Sequence, residues 1–178
     1  GVYECFNFIP ELNHEYELVI EYNNETYIGN EILYPVVNFD ATSQSRDGGL
    51  DGNDYQVKAF FTDPVGIQNY YLTEKKSSAE LLPVYSSFND IFFDGNQVFD
   101  LATNEDFQEG DIIEFSLYGI SKSHQEYCKK LINSISGGPF QTTPGKIKGN
   151  IKNVTNPSNY PLGYFSLSEV SIINHQIN

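Results

Sequence analysis

Glu-Tyr-Glu-Leu-Val-Ile-Glu-Tyr, residues 15–22, sets Tyr16, Leu18, Ile20 and Tyr22 on one side of an extended chain and Glu15, Glu17 and Glu21 on the other. Only a strand half covered by protein satisfies both sides at once. Asn23-Asn24 follows, a pair that tolerates positive φ in a hairpin turn, and Thr26–Leu33 reads as the return strand. The same period-two pattern predicts strands over Val2–Phe8, Tyr55–Thr62, Ile67–Thr73, Asp90–Phe93, Gln97–Leu101, Asp111–Ile120 and Gly163–Ile173. A mainly β chain follows, an antiparallel β-sandwich-like domain with one short helix packed on or beside a sheet.

That helix is expected over residues 121–136. Ser121 or Ser123 can cap it, the latter in a capping box with Glu126, and Tyr127, Leu131 and Ile135 with Cys128 and Ile132 beside them form an apolar stripe. Lys129 and Lys130 lie toward its C-terminal half, and Gly137-Gly138-Pro139 stops it. Neighbours in a strand point to opposite faces, so Phe60-Phe61, Tyr70-Tyr71 and Phe92-Phe93 each put a ring on both sides. Coverage of both faces, by a second sheet and by the helix, is the expectation; exposed rings forming a binding surface are the alternative.

With 24 acidic against 10 basic residues the formal charge is −14, and the field of the whole molecule opposes a nucleic-acid backbone or an anionic leaflet. No apolar run of about 18 residues spans a membrane. Cys5 and Cys128 lack CxxC spacing and neighbouring histidines, which argues against zinc; they read as two buried thiols, with a disulfide as the alternative.

Candidate chemistry is sparse. Asp47, Asp51 and Asp54 surround a glycine-rich loop, a hard-oxygen arrangement of the kind calcium takes, although the EF-hand register is missing and a solvated turn explains it as well. Glu105, Asp106, Glu109 and Asp111 around Gly110 read as the polar approach to a strand. His14, His124 and His175 are scattered, no Ser sits in a Gly-x-Ser-x-Gly elbow, and His-Glu-x-x-His is absent. Two suitably spaced carboxylates would serve glycoside hydrolysis, which many acids permit and none specifies. Asn24-Glu25-Thr26 and Asn153-Val154-Thr155 match the glycosylation pattern, a short pattern that recurs by chance in an Asn-rich chain.

Phe88–Gly95, the Gly110-Asp111 turn, Ile120-Ser121 opening a helix, Gly137-Gly138-Pro139-Phe140, Gly149-Asn150-Ile151, Asn156-Pro157 and Leu162-Gly163-Tyr164-Phe165 occur in the order and spacing of one family. In this series the chain resembles the DUF4249 family of Bacteroidota lipoproteins. The resemblance implies a secreted protein held at the outer membrane or cell surface by a lipidated N-terminal cysteine, often encoded beside a TonB-dependent receptor, and it implies no catalytic residues. Cys5 lies inside an expected strand and is not that cysteine. Residues 1–38 are then expected to close an N-terminal Ig-like sandwich region, residues 39–178 to form a β-rich C-terminal domain, and the chain to be the C-terminal portion of a longer precursor, paired with the precursor's N-terminal fragment.

The expected function is non-catalytic: a ligand-binding accessory of a TonB-dependent transporter, needing no cofactor, with calcium at the Asp47 loop as the one candidate ion. An adhesive surface protein and a carbohydrate-active hydrolase are the alternatives. Tyr70, Tyr71, Phe92 and Phe93 are the candidate ligand-binding residues.

Overall fold

A computed structural model describes residue 4, residues 6–135 and residues 145–178. Ten strands and one helix occur among them: β1 (Glu15–Tyr22), β2 (Glu25–Ile32), β3 (Phe39–Gly48), β4 (Asp54–Thr62), β5 (Tyr70–Ser77), β6 (Val84–Asn89), β7 (Gln97–Thr103), β8 (Ile112–Gly119), α1 (Lys122–Ile135), β9 (Lys152–Asn153) and β10 (Val170–Gln176). They form antiparallel sheets in the orders β10-β8-β5-β6, β3-β4-β7 and β1-β2-β9. The protein is mainly β, as expected.

The first two sheets face each other. Val57 and Ala59 of β4 and Ala102 of β7 meet Ile113 and Phe115 of β8 in one half of the core, with Phe107 and Ile177 closing its end. Phe61 of β4, Tyr71 of β5 and Leu117 of β8 fill the other half, with Phe88, Phe93 and Val98 packed around them. Burying each large apolar side chain contributes about 1.5–3 kcal/mol, so these rings and aliphatics are what hold the layers together. Both sheets also carry polar cross-links. Lys75 of β5 reaches through the core to the Asp100 carboxylate and the Leu101 carbonyl of β7, each at 3.0 Å. At one edge His175 of β10 bonds Thr42 and Gln44 of β3 through its two ring nitrogens, both at 2.8 Å.

One outer face of the sandwich is covered at β5 and β6 and the other is open. The helix lies beside β5 and β6, whereas Phe60 and Phe99 on the outer side of β3-β4-β7 touch each other at 5.8 Å under the Lys58 ammonium, with Phe99 48% exposed. In both Phe60-Phe61 and Tyr70-Tyr71 the inward ring is buried and the outward one half-buried, so coverage is complete on the inner face and partial on the outer.

A long return segment ties the third sheet to this sandwich. Lys148 and Gly163 form a parallel bridge, and a Cβ on Gly149 would lie 1.8 Å from the Gly163 carbonyl oxygen, so glycine is required for that approach. Asn150 pins the segment by donating to the carbonyls of Asn30 and Phe165 and accepting from the Phe165 N–H. Beyond it, Glu25 of β2 accepts from Tyr27, Asn153, Asn156 and Asn159, which hold its carboxyl down to about 2. Asn153, at 4% exposure and with its amide committed to Glu25 and the Asn159 carbonyl, presents no glycosylation acceptor in the folded chain.

Several expected boundaries move. Asp90–Phe93 is a turn: Phe93 N–H bonds the Asp90 carbonyl, Asn96 N–H bonds the Phe93 carbonyl, and Gly95 takes φ 72°. The strands expected from Ile67 and Gly163 begin at Tyr70 and Val170. Val2, Tyr3 and Cys5 of the first expected strand and Gly137-Gly138-Pro139 lie outside the described residues, while Phe6-Asn7 form a turn. On α1 the buried side chains are His124, Gln125 and Cys128, with Ile135 81% exposed, so the packed face is rotated from the expected stripe. Cys128 is a free buried thiol, pushed up to about 11 by desolvation.

Two predictions follow from the cross-links. Lys75→Met leaves Asp100 buried without its cation and lowers stability in urea unfolding by about 3–5 kcal/mol. Burial holds His175 below the usual imidazole range. The neutral ring's stabilisation is therefore present above the unfolded value of about 6.5 and is lost as pH falls through the lower folded value. His175→Gln lowers stability at pH 8 and flattens the decline between pH 7 and 5, read from unfolding midpoints.

Candidate functional site

Where β2 leaves the third sheet, Tyr34-Pro35 crosses the end of β8 and meets the start of α1. A Cβ on Gly119 would stand 2.1 Å from the Pro35 carbonyl oxygen, so the crossing is as close as a glycine backbone allows. Tyr34 bridges Ser168, and Val36 N–H donates to Glu169 at 2.9 Å, which fixes the linker on the sandwich. The junction leaves a groove in two lobes. The larger, about 400 Å³, is lined by residues including Asn30, Glu31, Ser123 and Glu126; the smaller, about 150 Å³, by Gln68, Asn69, Tyr70 and Ile120; Tyr34 and Lys122 line both.

Glu31, 6% exposed, is the buried charge of the larger lobe. Its Oε2 accepts from the Ser121 hydroxyl at 2.8 Å and from the Tyr164 hydroxyl at 2.7 Å, and its Oε1 from the Ile32 N–H at 3.0 Å. Ser121 caps the helix, accepting the His124 N–H at 3.1 Å, so it takes the N-cap role between the two serines considered from the sequence. Since Tyr164 donates to Glu31, Ser123 donates to the Tyr164 oxygen at 2.8 Å. The Tyr164 ring stacks on the His124 ring at 4.6 Å and lies tilted against the Tyr127 ring at 5.0 Å. Desolvation pushes the Tyr164 phenol up to about 12, with the Glu31 carboxylate adding to it, and desolvation holds His124 low. Hydroxyls here are donors to a carboxylate. No imidazole nitrogen is bonded to Ser121 or Ser123, so the geometry activates no nucleophile.

A second polar cluster lies behind the smaller lobe. Oxygens of Asp63, Asp90 and Asp94 all fall within 4.8 Å of one another, and Asp63 and Asp90 are 2% and 3% exposed. Tyr71 donates to Asp63 at 2.6 Å, Asn69 N–H to Asp90 at 2.6 Å and Gly66 N–H to Asp94 at 2.7 Å. Desolvation raises the Asp63 carboxyl against the Tyr71 and Gly95 donors, and the Asp90 and Asp94 charges add to the rise. Two oxygens on opposite sides of a calcium ion stand roughly 4.8 Å apart, so these three carboxylates have the spacing of a hard divalent-cation site.

The candidate residues named from the sequence scatter over this frame. Tyr70 lines the groove. Tyr71 is buried in the core, its hydroxyl spent on Asp63. Phe92 is 96% exposed on the turn, and Phe93 packs beneath it against Phe88. Asp47, Asp51 and Asp54 lie in the β3–β4 hairpin, at the opposite end of β4 from Asp63, and are not among the described acids whose ligand atoms converge. Glu31 and Asp63 had no sequence signal, and Ser123, Tyr164, Asp90 and Asp94 stood out only as a cap candidate or within family-like segments, because only the fold brings them together.

Residues 1–172 match the family described as "Domain of unknown function (DUF4249)". The chain belongs to the DUF4249 family. No curated protein and no solved structure matches it. Several segments that carry the resemblance now have a place in this DUF4249 fold: Ile120-Ser121 caps the helix, Gly149-Asn150 locks the return segment, and Tyr164 holds Glu31.

The Asp63 cluster yields a prediction of definite sign. An acid raised on folding stabilises below its ordinary value and loses that contribution as pH rises through the folded value. In EDTA at pH 7, Asp63→Asn is therefore at least as stable as the parent chain. Calcium at about 100 times its dissociation constant adds roughly 2.7 kcal/mol to the parent and nothing to Asp63→Asn, a difference read as a calcium-dependent rise in melting temperature.

Proposed function

We propose that this DUF4249 protein is a non-catalytic binding protein of the outer membrane or cell surface, an accessory that presents ligand to a TonB-dependent transporter. The groove at the Tyr34 junction supports the binding part of this reading: ligand sites favour such junctions, with a few convergent polar groups among aromatic walls. Hydrolysis is disfavoured by the placement of the groove's carboxylates. A general acid needs a sheltered carboxyl free to reach the substrate, whereas Glu31, the buried one, is occupied by three hydrogen-bond donors, and Glu15 and Glu126 are exposed. A lipid anchor on the longer precursor would supply the membrane attachment.

Two further features bear on partners. β1 is an edge strand with Val19, Ile20 and Tyr22 exposed at 51%, 41% and 65%, which suits pairing with strands from an N-terminal fragment of the same precursor. Val65, Ile67, Ile91 and Phe92, exposed at 59% or more on two adjoining loops, favour a second reading, adhesion to another protein.

Capture of the tagged full-length precursor from its native outer membrane in mild detergent, followed by mass spectrometry, tests the proposal. A TonB-dependent channel retained in stoichiometric amount is the expected result. A protein recovered without any channel contradicts the transporter partnership.

A further inference from the structure

The groove's chemistry narrows what it would hold, granted that it is a binding site. We propose that its ligand is a neutral saccharide, a polyol ring resting on Tyr70 and Tyr34 with its hydroxyls bonded to the polar wall. The first support is an orphan acceptor. Asn69 lines the smaller lobe, and its Oδ1 is fully buried with no hydrogen-bond partner among the described residues, while its backbone N–H is spent on Asp90. Leaving a buried amide oxygen without a donor is unfavourable, and a turn of the Asn69 amide into the lobe would bring it within reach of a ligand hydroxyl.

The second support is the balance of groups. Asn30, Gln68 and Asn69 carry amides that both donate and accept, as hydroxyls do, beside the Tyr34 and Tyr70 rings that suit the C–H face of a sugar. Glu126, Glu31 and Glu15 exclude an anion from the larger lobe. An amine fares little better. Glu31 is already held by Ser121, Tyr164 and the Ile32 N–H, Glu15 and Glu126 are exposed to screening solvent, and Lys122 lines both lobes, where it repels a cation.

A glycan array probed with the full chain, followed by calorimetry on the retained glycan, tests this. Spermidine and oligogalacturonate serve as cationic and anionic probes, and Tyr70→Ala and Asn69→Ala as variants whose folding is checked by circular dichroism. Retention of a neutral glycan, with affinity reduced about tenfold in each folded variant, is the expected outcome. If one variant fails to fold, the other carries the comparison. Binding of spermidine or oligogalacturonate alone overturns the saccharide assignment and leaves the binding reading standing. An array that retains nothing, or a glycan whose affinity both variants leave unchanged, overturns the assignment too; the transporter reading stands or falls separately on capture of the channel.

Discussion

A single buried carboxylate decides how the parts of this protein meet. Glu31 sits on β2 of the small sheet, yet its partners are Ser121 at the head of the helix and Tyr164 on the return segment. An ionised carboxylate taken out of water without donors would cost several kcal/mol, so the arrangement is stable only with all three elements in register. Ser121 serves two masters, since the oxygen that donates to Glu31 also caps α1. Helix start, small sheet and return segment are thus one cooperative unit, and the groove is the space left where they converge.

The same logic recurs in the sandwich. Its apolar core would hold two sheets together in many registers, and its polar links select one. Lys75 reaching Asp100, Tyr71 reaching Asp63 just past the end of β4, and His175 between Thr42 and Gln44 each cross between layers or edges. Misplacing any of these strands by one residue would turn the polar group away from its partner. The acidic surplus is not spread evenly over the surface: Asp63, Asp90, Asp100, Glu31 and Glu74 are all buried. Among these, Asp63 is raised by desolvation, the physical ground for the pH and cation dependence expected of its cluster.

Much of the fold was legible because its strands alternate. The β1–β2 hairpin runs Glu15–Tyr22 and Glu25–Ile32, with Asn23 and Asn24 at φ 50° and 60°, as the sequence predicts. The strand β3 was not legible, because Asp-Ala-Thr-Ser-Gln-Ser-Arg-Asp carries no apolar period; it is an edge strand held by its pairing with β4 and by Thr42 and Gln44. Asp90–Phe93 misled in the opposite way: its apolar triplet reads as a strand, while Asp90 and Gly95 close it into turns. Of the candidate site, Tyr70 was visible as a strand aromatic. Glu31 looked like any solvent-facing glutamate of an alternating strand, and only tertiary pairing with residues 90 and 133 positions away gives it a role.

Hydrogen exchange at neutral pH on the intact chain and on Glu31→Gln tests the central claim most directly. Loss of the charge should raise exchange in β1, β2 and the first turn of α1 together, while β4, β5 and β8 keep their protection. Unchanged protection in those three elements, or a loss spread evenly through the sandwich, would contradict the account that Glu31 joins the small sheet to the rest of the molecule.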